Sequence, residues 1–219
     1  MRSLLPSVLV LVCLAAAVSA RAVTLDIDSL PPGMSNSPGS FVPTTARVSN
    51  QFRSQGVLVS SGAGYAAVVL DQGGTVWKQG DPAVKQGLGG TGSGDTLSYA
   101  TPLVFTFVSP TNAAVPYVTN AFSIYADYNG DGSLVTVSGY DLAGALVAQA
   151  SRNEHSGSAA FGDLYSISGA GISRVVVQGT GTTAFSNVQF NAVTPVPEPA
   201  TIAALGLGAA ALLRRRRKA

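Results

Sequence analysis

The feature that most constrains the fold is an alternation of apolar and polar residues that recurs in short segments between Val23 and Val193. Segments such as LVFTFVS (103–109) and AFSIYADY (121–128) place every second side chain on one face, as half-buried β-strands do. Val, Ile, Phe, Tyr and Thr are concentrated in these segments, and Gly, Asn and Asp lie between them. This part of the sequence has no convincing helical period. The pattern therefore predicts an all-β protein.

The predicted strands follow one another at intervals of about ten residues, a spacing typical of antiparallel β-sandwiches. The composition agrees, because charged residues make up 11% of the chain while 25 glycines and 12 prolines are available for turns. The sequence therefore predicts a single jelly-roll-like antiparallel β-sandwich. Two stretches rich in Gly and Pro, 29–43 and 78–95, are predicted to be loops. The other predicted strands are 23–30, 51–61, 65–70, 133–141, 145–151, 163–169, 172–179 and 184–193.

The first 20 residues, MRSLLPSVLVLVCLAAAVSA, have the features of a secretory signal peptide. Arg2 precedes an apolar run from Leu4 to Ala17, and small residues allow cleavage after Ala20 or after Ala22. The alternative, an uncleaved anchor, is disfavoured because the run is shorter than the ~20 residues of a membrane-spanning helix. The single cysteine of the chain lies inside this signal peptide. The mature protein is therefore expected to have no disulfide and no thiolate site.

The C-terminal segment, VPEPATIAALGLGAAALLRRRRKA, combines a proline-rich motif, an apolar run and a basic end. The apolar run, Ala200–Leu213, would span roughly 21 Å as a helix, which is thin for a hydrocarbon core of about 30 Å. It is followed by a basic cluster that would hold the extreme C-terminus in the cytoplasm. The body would then lie on the other side of the membrane. The cluster consists of Arg214, Arg215, Arg216, Arg217 and Lys218.

This arrangement resembles the PEP-CTERM sorting signal, in which a Pro-Glu-Pro motif precedes an apolar helix and a terminal basic cluster. The motif residues here are Val196, Pro197, Glu198 and Pro199. The two prolines are expected to keep the backbone at Glu198 in an extended conformation rather than a helix. An extended peptide is what a protease cleft can bind. The alternative is an ordinary C-terminal anchor with an incidental Pro-Glu-Pro.

The resemblance implies that an exosortase, an integral-membrane enzyme similar to a cysteine transpeptidase, recognises the tail and cleaves near the motif. A signal peptidase would process the other end. The resemblance also implies export across the inner membrane of a Gram-negative-type bacterium that makes exopolysaccharide and biofilm. The protein would be anchored transiently in that membrane and, after processing, would lie outside the cell or in the outer envelope.

The two terminal segments divide the chain into a signal peptide (1–20), a β-sandwich domain (21–194) and a sorting tail (195–219). Between Arg21 and Pro195, seven basic residues face ten acidic ones, so the body carries a net charge of −3. A mildly acidic body with scattered basic residues offers no electrostatic footprint for nucleic acid. We therefore expect no nucleic-acid partner.

The residues that most often carry catalysis are scarce. The sequence has no Gly-x-Ser-x-Gly motif, and its one histidine, His155, lies in a polar stretch, SRNEHSGS. One histidine without cysteines does not make a histidine-based zinc site. The body has one glutamate, Glu154, and no marked pair of carboxylates for glycoside hydrolysis. We predict that the protein is not an enzyme.

The segment DYNGDG (127–132) has partial features of a calcium site. Asp127, Asn129 and Asp131 have the spacing of the first three side-chain ligands in an EF-hand-type loop. Ser138 stands at position twelve, where a bidentate glutamate belongs, and the flanking segments are predicted strands rather than helices. Two interpretations remain open: a plain hairpin turn, which Asp, Asn and Gly favour, and a turn that binds calcium weakly.

Aromatic residues could provide a platform for sugars. Trp77 is the only tryptophan and lies beside the second predicted loop, which makes it the candidate ligand-binding residue. The body also resembles carbohydrate-binding-like jelly rolls that are common among PEP-CTERM proteins. Ser186 stands where that pattern has an aspartate, which weakens the case for the calcium site of that family. The residues that carry the resemblance are Asp26, Asp28, 52–57 and 185–190.

Three hypotheses for the function follow, in order of preference. The first is a structural or adhesive component of an exopolysaccharide matrix or biofilm. The second is a carbohydrate-binding module, which would need an exposed aromatic residue. The third is a secreted hydrolase, which would need a histidine or carboxylate cluster that the sequence does not display.

Overall fold

The computed structural model describes residues 21–31, 33–35, 39–62, 65–71, 86–127, 134–153, 162–180 and 184–196. Within these ranges the chain forms fourteen β-strands and three short 3-10 helices. The helices are Ile27–Ser29, Thr44–Ala46 and Arg53–Gln55. The strands are β1 (Ala22–Thr24), β2 (Met34–Ser35), β3 (Arg47–Val48), β4 (Val57–Ser61), β5 (Ala67–Asp71), β6 (Gln86–Gly89), β7 (Leu103–Phe107), β8 (Tyr117–Asp127), β9 (Leu134–Tyr140), β10 (Leu146–Asn153), β11 (Asp163–Ile172), β12 (Arg174–Gly179), β13 (Ala184–Asn191) and β14 (Thr194–Pro195).

The strands form two sheets. The larger sheet has the order β11-β8-β13-β6-β5-β2, with β1 beside β13, β14 beside β8 and β3 beside β5. The smaller sheet has the order β10-β9-β12-β7-β4. All these pairs are antiparallel except β2 with β5. The prediction of an all-β sandwich of antiparallel sheets is confirmed, and the two predicted terminal helices lie outside the described residues.

The main core lies between the two sheets and is built from aromatic pairs that reach across. Phe105 of β7 packs against Phe122 of β8 with 5.1 Å between the ring centroids. Phe107 of β7 packs against Phe190 of β13 at 5.2 Å. All four side chains are buried, and both pairs have the tilted geometry that aromatic rings prefer. Because each pair joins one sheet to the other, these contacts hold the sandwich together.

A second core covers the outer face of β5. Val68 and Leu70 alternate with residues of the main core and point to the opposite side of the sheet. They are covered by residues of the segments 39–46 and 91–101, namely Val42, Ala46, Leu97 and Tyr99. At the edge of these two segments, Arg47 forms an ion pair of 2.9 Å with Asp95 of the segment 91–101.

Tyr99 is the polar exception in the second core. Its side chain is 8% exposed, and its hydroxyl has no hydrogen-bond partner among the described residues. Burial raises the pKa of the Tyr99 phenol above its ordinary value, because the charged phenolate would lose its hydration. The ring therefore contributes apolar packing, and the hydroxyl contributes an uncompensated polar group.

One side of the sandwich is closed by contacts between β10, the edge strand of the smaller sheet, and β11, the edge strand of the larger one. Arg152 of β10 donates to the Leu164 carbonyl at 2.9 Å and to Asp163 Oδ1 at 3.3 Å. Its guanidinium lies 4.8 Å from the centre of the Tyr165 ring. The Tyr165 hydroxyl donates back to the Arg152 carbonyl at 3.3 Å. Arg152 thus helps to link the two sheets at this edge.

Several predicted boundaries differ from the observed ones. The predicted loop 78–95 contains β6, and the predicted loop 29–43 contains β2. The strand predicted at 23–30 ends at Thr24, and Ile27–Ser29 forms a 3-10 helix instead. The glycine-rich β6 escaped prediction because glycine has a low strand propensity. It forms a strand through its pairing with β5, and its glycines allow close packing, since a side chain at Gly89 would lie 2.9 Å from the end of the Leu70 side chain.

Candidate functional site

The outer face of the larger sheet carries a shallow groove of about 290 Å³. The strand register places Ser166 of β11 opposite Ser123 of β8, and Ser123 opposite Gln189 of β13. Their sequence neighbours Phe122, Ile167 and Phe190 are buried in the main core, so alternation turns the polar side chains outward. The outward residues lining the groove are Ala22, Ala121, Ser123, Ser166, Ser168, Gln189 and Asn191.

The chemistry of this groove is neutral and polar. None of the lining residues in the described part of the chain is charged. Serine hydroxyls both donate and accept hydrogen bonds, and so do the side-chain amides of glutamine and asparagine. Next to the groove on the same face, Tyr125 of β8 pairs with Leu164 of β11 and adds an apolar surface. The combination can bind an uncharged ligand that is rich in hydroxyl groups.

Hydrogen bonds between side chains orient the amides at the rim of the groove. Asn191 Nδ2 donates to Asn120 Oδ1 at 2.6 Å, and Gln189 Nε2 donates to Asn187 Oδ1 at 3.1 Å. Asn187 has a φ of +43° and lies where the register of β13 against β8 is interrupted. Such an irregularity re-aims the side chains that follow it. The amides are therefore held in place before any ligand binds.

A second feature lies at the end of the sandwich where the described chain stops. Thr194 and Pro195 form β14 and pair with Val118 and Tyr117 at the start of β8. Val196 follows immediately and lines a groove of about 410 Å³ together with Leu142, Ala143 and others. The predicted boundary between the domain and the tail, after residue 194, thus falls inside a strand of the fold.

The loops around Val196 are apolar. The hairpin loop 141–145 joins β9 to β10, and the loop 109–116 leads into β8. Both line an adjoining groove of about 390 Å³. We call the exposed apolar residues of these two loops, together with Val196, the exit face. Its residues are Ala114, Val115, Pro116, Leu142, Ala143 and Val196.

Charged groups near the exit face are engaged in local contacts. Among the described residues that line its two grooves, Asp141 and Arg174 carry a charge. Asp141 Oδ1 accepts a hydrogen bond of 2.8 Å from the Ala145 amide, which closes the hairpin turn. The guanidinium of Arg174 lies 4.9 Å from the centre of the Tyr140 ring. Both charged groups therefore make contacts within their own part of the fold, and the remaining surface of the exit face is apolar.

Of the predicted site residues, the structure describes Val196 and the backbone of Asp127, which pairs with Ala184. The other sorting-motif residues, Pro197 to Pro199, and the basic cluster lie outside the described residues. So do Asn129, Asp131, Trp77 and His155. The two interpretations of the segment 127–132 and the role predicted for Trp77 remain predictions.

Within the described ranges, no group of three His, Cys, Asp or Glu side chains is arranged to hold a metal ion. The same part of the chain contains no helix with the length and apolar character needed to span a membrane. Asp28, an acidic residue of the resemblance to carbohydrate-binding jelly rolls, accepts a hydrogen bond of 2.8 Å from the backbone N–H of Gln86. Its carboxylate therefore connects the 3-10 helix Ile27–Ser29 to β6.

The fold and the position of Val196 define the class of protein: an all-β sandwich whose last described strand, β14, directly precedes the C-terminal segment. Residues 195–218 match the family model described as the PEP-CTERM protein-sorting motif. The resemblance inferred from the tail is thus confirmed, and the chain ends in this sorting motif. The motif implies export, sorting to the cell surface and processing by an exosortase.

Comparison of the whole chain with curated proteins found no match. Among solved structures, the K2 cleaved adhesin domain of Lys-gingipain is similar at 10% identity and a TM-score of 0.43, over 77% of this chain and 97% of that one. An arabinose-bound α-L-arabinofuranosidase is similar at 14% identity and a TM-score of 0.40, over 73% of this chain and 26% of that one. These TM-scores are too low to support an inference about function.

Proposed function

We propose that the mature protein is a non-catalytic, adhesive component of an extracellular polysaccharide matrix, delivered there by exosortase processing. The observation that carries this proposal is the neutral groove on the outer face of the larger sheet. Its serine hydroxyls and oriented amides suit the hydroxyl groups of an uncharged sugar chain. The absence of charge among the described lining residues disfavours phosphorylated or strongly anionic ligands.

The geometry also suits an extended ligand. The groove is at the lower limit of small-molecule pocket volumes, which run from about 300 to 1,000 Å³. It is open along the sheet rather than enclosed, so a polymer can pass through it. Tyr125 and Leu164 lie beside it and offer an apolar surface to the C–H groups of a sugar ring. Affinity for one sugar unit would be low, and many copies in a matrix would give avidity.

The test is binding of the exported, processed protein to a glycan array and to polysaccharide from the producing bacterium. Each neutral hydrogen bond contributes about 0.5–1.5 kcal/mol, so Gln189→Ala should weaken binding by about two- to tenfold. Gln149→Ala is the matched control, because Gln149 is an exposed glutamine on the smaller sheet that donates to Ser138. Tyr125→Ala should weaken binding, and Tyr140→Ala on the opposite sheet should not.

Two outcomes would count against the proposal. If the processed protein binds no neutral glycan, the adhesive role through this groove is wrong. If Gln149→Ala and Gln189→Ala weaken binding equally, the protein binds sugars elsewhere. The delivery step is tested separately, by replacing Pro197, Glu198 and Pro199 with alanine, which should leave the protein uncut in the inner membrane.

A further inference from the structure

The sorting motif begins inside the folded domain. The matched segment starts at Pro195, and Pro195 belongs to β14, which pairs with the first residues of β8. Val196 lines a groove of the exit face. No spacer therefore separates the sandwich from the Pro-Glu-Pro motif.

This junction limits how far the sandwich can lie from the membrane. Four residue steps join Val196 to Ala200, where the predicted membrane segment begins. A fully extended chain covers at most about 3.6 Å per residue, so the exit face lies within about 14 Å of the start of that segment. An enzyme that holds Glu198 in its cleft occupies the same space. It cannot reach the motif without contacting the end of the sandwich.

The end that the enzyme meets is unusually apolar for this protein. Seven large apolar side chains are exposed in the described part of the chain, and four of them lie in or beside the two loops of the exit face. Exposed apolar residues that cluster in this way mark interaction surfaces, whereas scattered ones need no explanation. The four are Val115, Leu142, Leu146 and Val147.

We propose that the exit face is a docking surface for the outward-facing surface of the membrane-embedded exosortase. The enzyme then recognises the folded end of the sandwich in addition to the Pro-Glu-Pro motif. This inference rests on the sorting function proposed above. A protein partner is favoured over lipid because the face consists of small aliphatic residues and proline, without the Trp and Lys that anchor proteins at bilayer interfaces.

The test is a pulse-chase measurement of tail removal from the full-length chain in exosortase-producing cells. Leu142→Asp and Val115→Asp, alone and together, place a charge on the exit face, and the double variant should slow processing about tenfold. Leu134→Asp is the matched control. Leu134 is a similarly exposed leucine, 41% against 51% for Leu142, at the end of β9 far from the loop that carries Leu142, and its replacement should not change the rate. Thermal melting of each processed variant checks that the fold is retained, with Ala143→Asp as a substitute if a variant does not fold.

A flexible insertion separates docking from cleavage. Ten Gly and Ser residues between Val196 and Pro197 should let the enzyme reach the motif without contacting the exit face. Processing of this variant should slow about tenfold, and adding Leu142→Asp should slow it no further. If the slowing factors of the insertion and of Leu142→Asp multiply in the combined variant, the exit face does not act through the bound enzyme, and the docking proposal is wrong.

The remaining outcomes separate this inference from the sorting function itself. If the natural chain is processed and Glu198→Ala is not, but Leu142→Asp is processed at the normal rate, sorting stands and docking fails. If the natural chain keeps its arginine-rich tail after export, the sorting function fails. If the processed protein binds vesicles of phosphatidylethanolamine and phosphatidylglycerol and Leu142→Asp abolishes that binding, the partner is the lipid bilayer and the assignment to the enzyme is overturned.

Discussion

Replacing Tyr99 by phenylalanine should stabilise the protein, although Tyr99 is a buried residue of the second core. The ring is 8% exposed and packs with Val42, Leu97 and their neighbours, and phenylalanine retains all of that packing. The hydroxyl has no hydrogen-bond partner among the described residues. Folding therefore removes this group from water without replacing the hydrogen bonds it made there.

The size of the effect follows from the cost of burying an unpaired polar group, which is about 1–3 kcal/mol. The lower end of this range gives an expected gain of about 1 kcal/mol for Tyr99→Phe. In a domain of this size, 1 kcal/mol corresponds to a shift in melting temperature of about 2–4 °C. Thermal unfolding of the processed protein at pH 7, followed by circular dichroism, measures this shift.

Tyr165→Phe is the matched control. Tyr165 is also buried, at 2% exposure, but its hydroxyl donates to the Arg152 carbonyl at 3.3 Å. Removing that hydroxyl breaks a hydrogen bond and leaves the carbonyl with one donor fewer, so Tyr165→Phe should lower the melting temperature by about 2–4 °C. The same chemical change should thus have opposite signs at two buried tyrosines.

The pH dependence gives an independent measurement. Burial raises the pKa of Tyr99 in the folded state above the ordinary value of 10.0 that the unfolded chain has. Below pH 10 the phenol is protonated in both states and this group adds no slope. Above pH 10 the unfolded state loses its proton first, so the free energy of unfolding falls by up to about 1.4 kcal/mol per pH unit. The Tyr99→Phe variant has no phenol at this position and does not lose this stability. The difference in free energy of unfolding between the variant and the natural protein should therefore grow as the pH rises above 10.

The reasoning is refuted if Tyr99→Phe lowers the melting temperature as much as Tyr165→Phe does. The Tyr99 hydroxyl would then have a hydrogen-bond partner, and its phenol would be part of a polar contact rather than an uncompensated group. An unchanged difference between the variant and the natural protein from pH 8 to pH 11 would contradict the assigned cause of the raised pKa.

Three further predictions concern processing, calcium and catalysis. The intact mass of the exported protein should correspond to a chain that starts at Arg21 and ends near the sorting motif. The start is expected there because the Arg21 carbonyl accepts a hydrogen bond from the Ala192 N–H and Ala22 pairs with Asn191. Recovery of the arginine-rich tail would contradict this prediction. If Asp127 and its neighbours bind calcium, a concentration of about 100 times Kd should stabilise the fold by about 2.7 kcal/mol over a chelated sample. Equal melting temperatures would instead support a plain hairpin turn. His155→Ala should leave folding, secretion and glycan binding unchanged, and loss of a measured activity would show that the protein is an enzyme.

The fold class was predictable because several strands of both sheets have a clear alternation in their own sequence. The buried residues of β7, Leu103, Phe105 and Phe107, occur at every second position, and the same is true of β12. The short strands β2, β3 and β14 were not predicted, because two residues carry too little pattern. The glycine-rich β6 was missed for a different reason, since tertiary pairing with β5 overrides its weak local preference for a strand.

The candidate groove could not be predicted from the sequence for a topological reason. Its polar residues come from strands far apart in the chain, and only the order β11-β8-β13 places Ser166, Ser123 and Gln189 in one row. Serine and glutamine are common on solvent-facing sides of strands, so none of them is conspicuous alone. The residues that did attract attention, Trp77 and His155, lie outside the described residues.

The sorting tail shows the opposite relation between sequence and structure. Its motif, apolar run and basic cluster were recognisable from residue order alone, because they follow one another directly in the sequence. The structure adds the position of the first residue of the matched segment. Since Pro195 is shared by β14 and the matched motif, the sorting signal and the domain are not independent modules in this chain. Moving the tail to another domain through a flexible linker would preserve the motif and lose the exit face. If the docking proposal is correct, such a fusion should be processed more slowly than the natural chain.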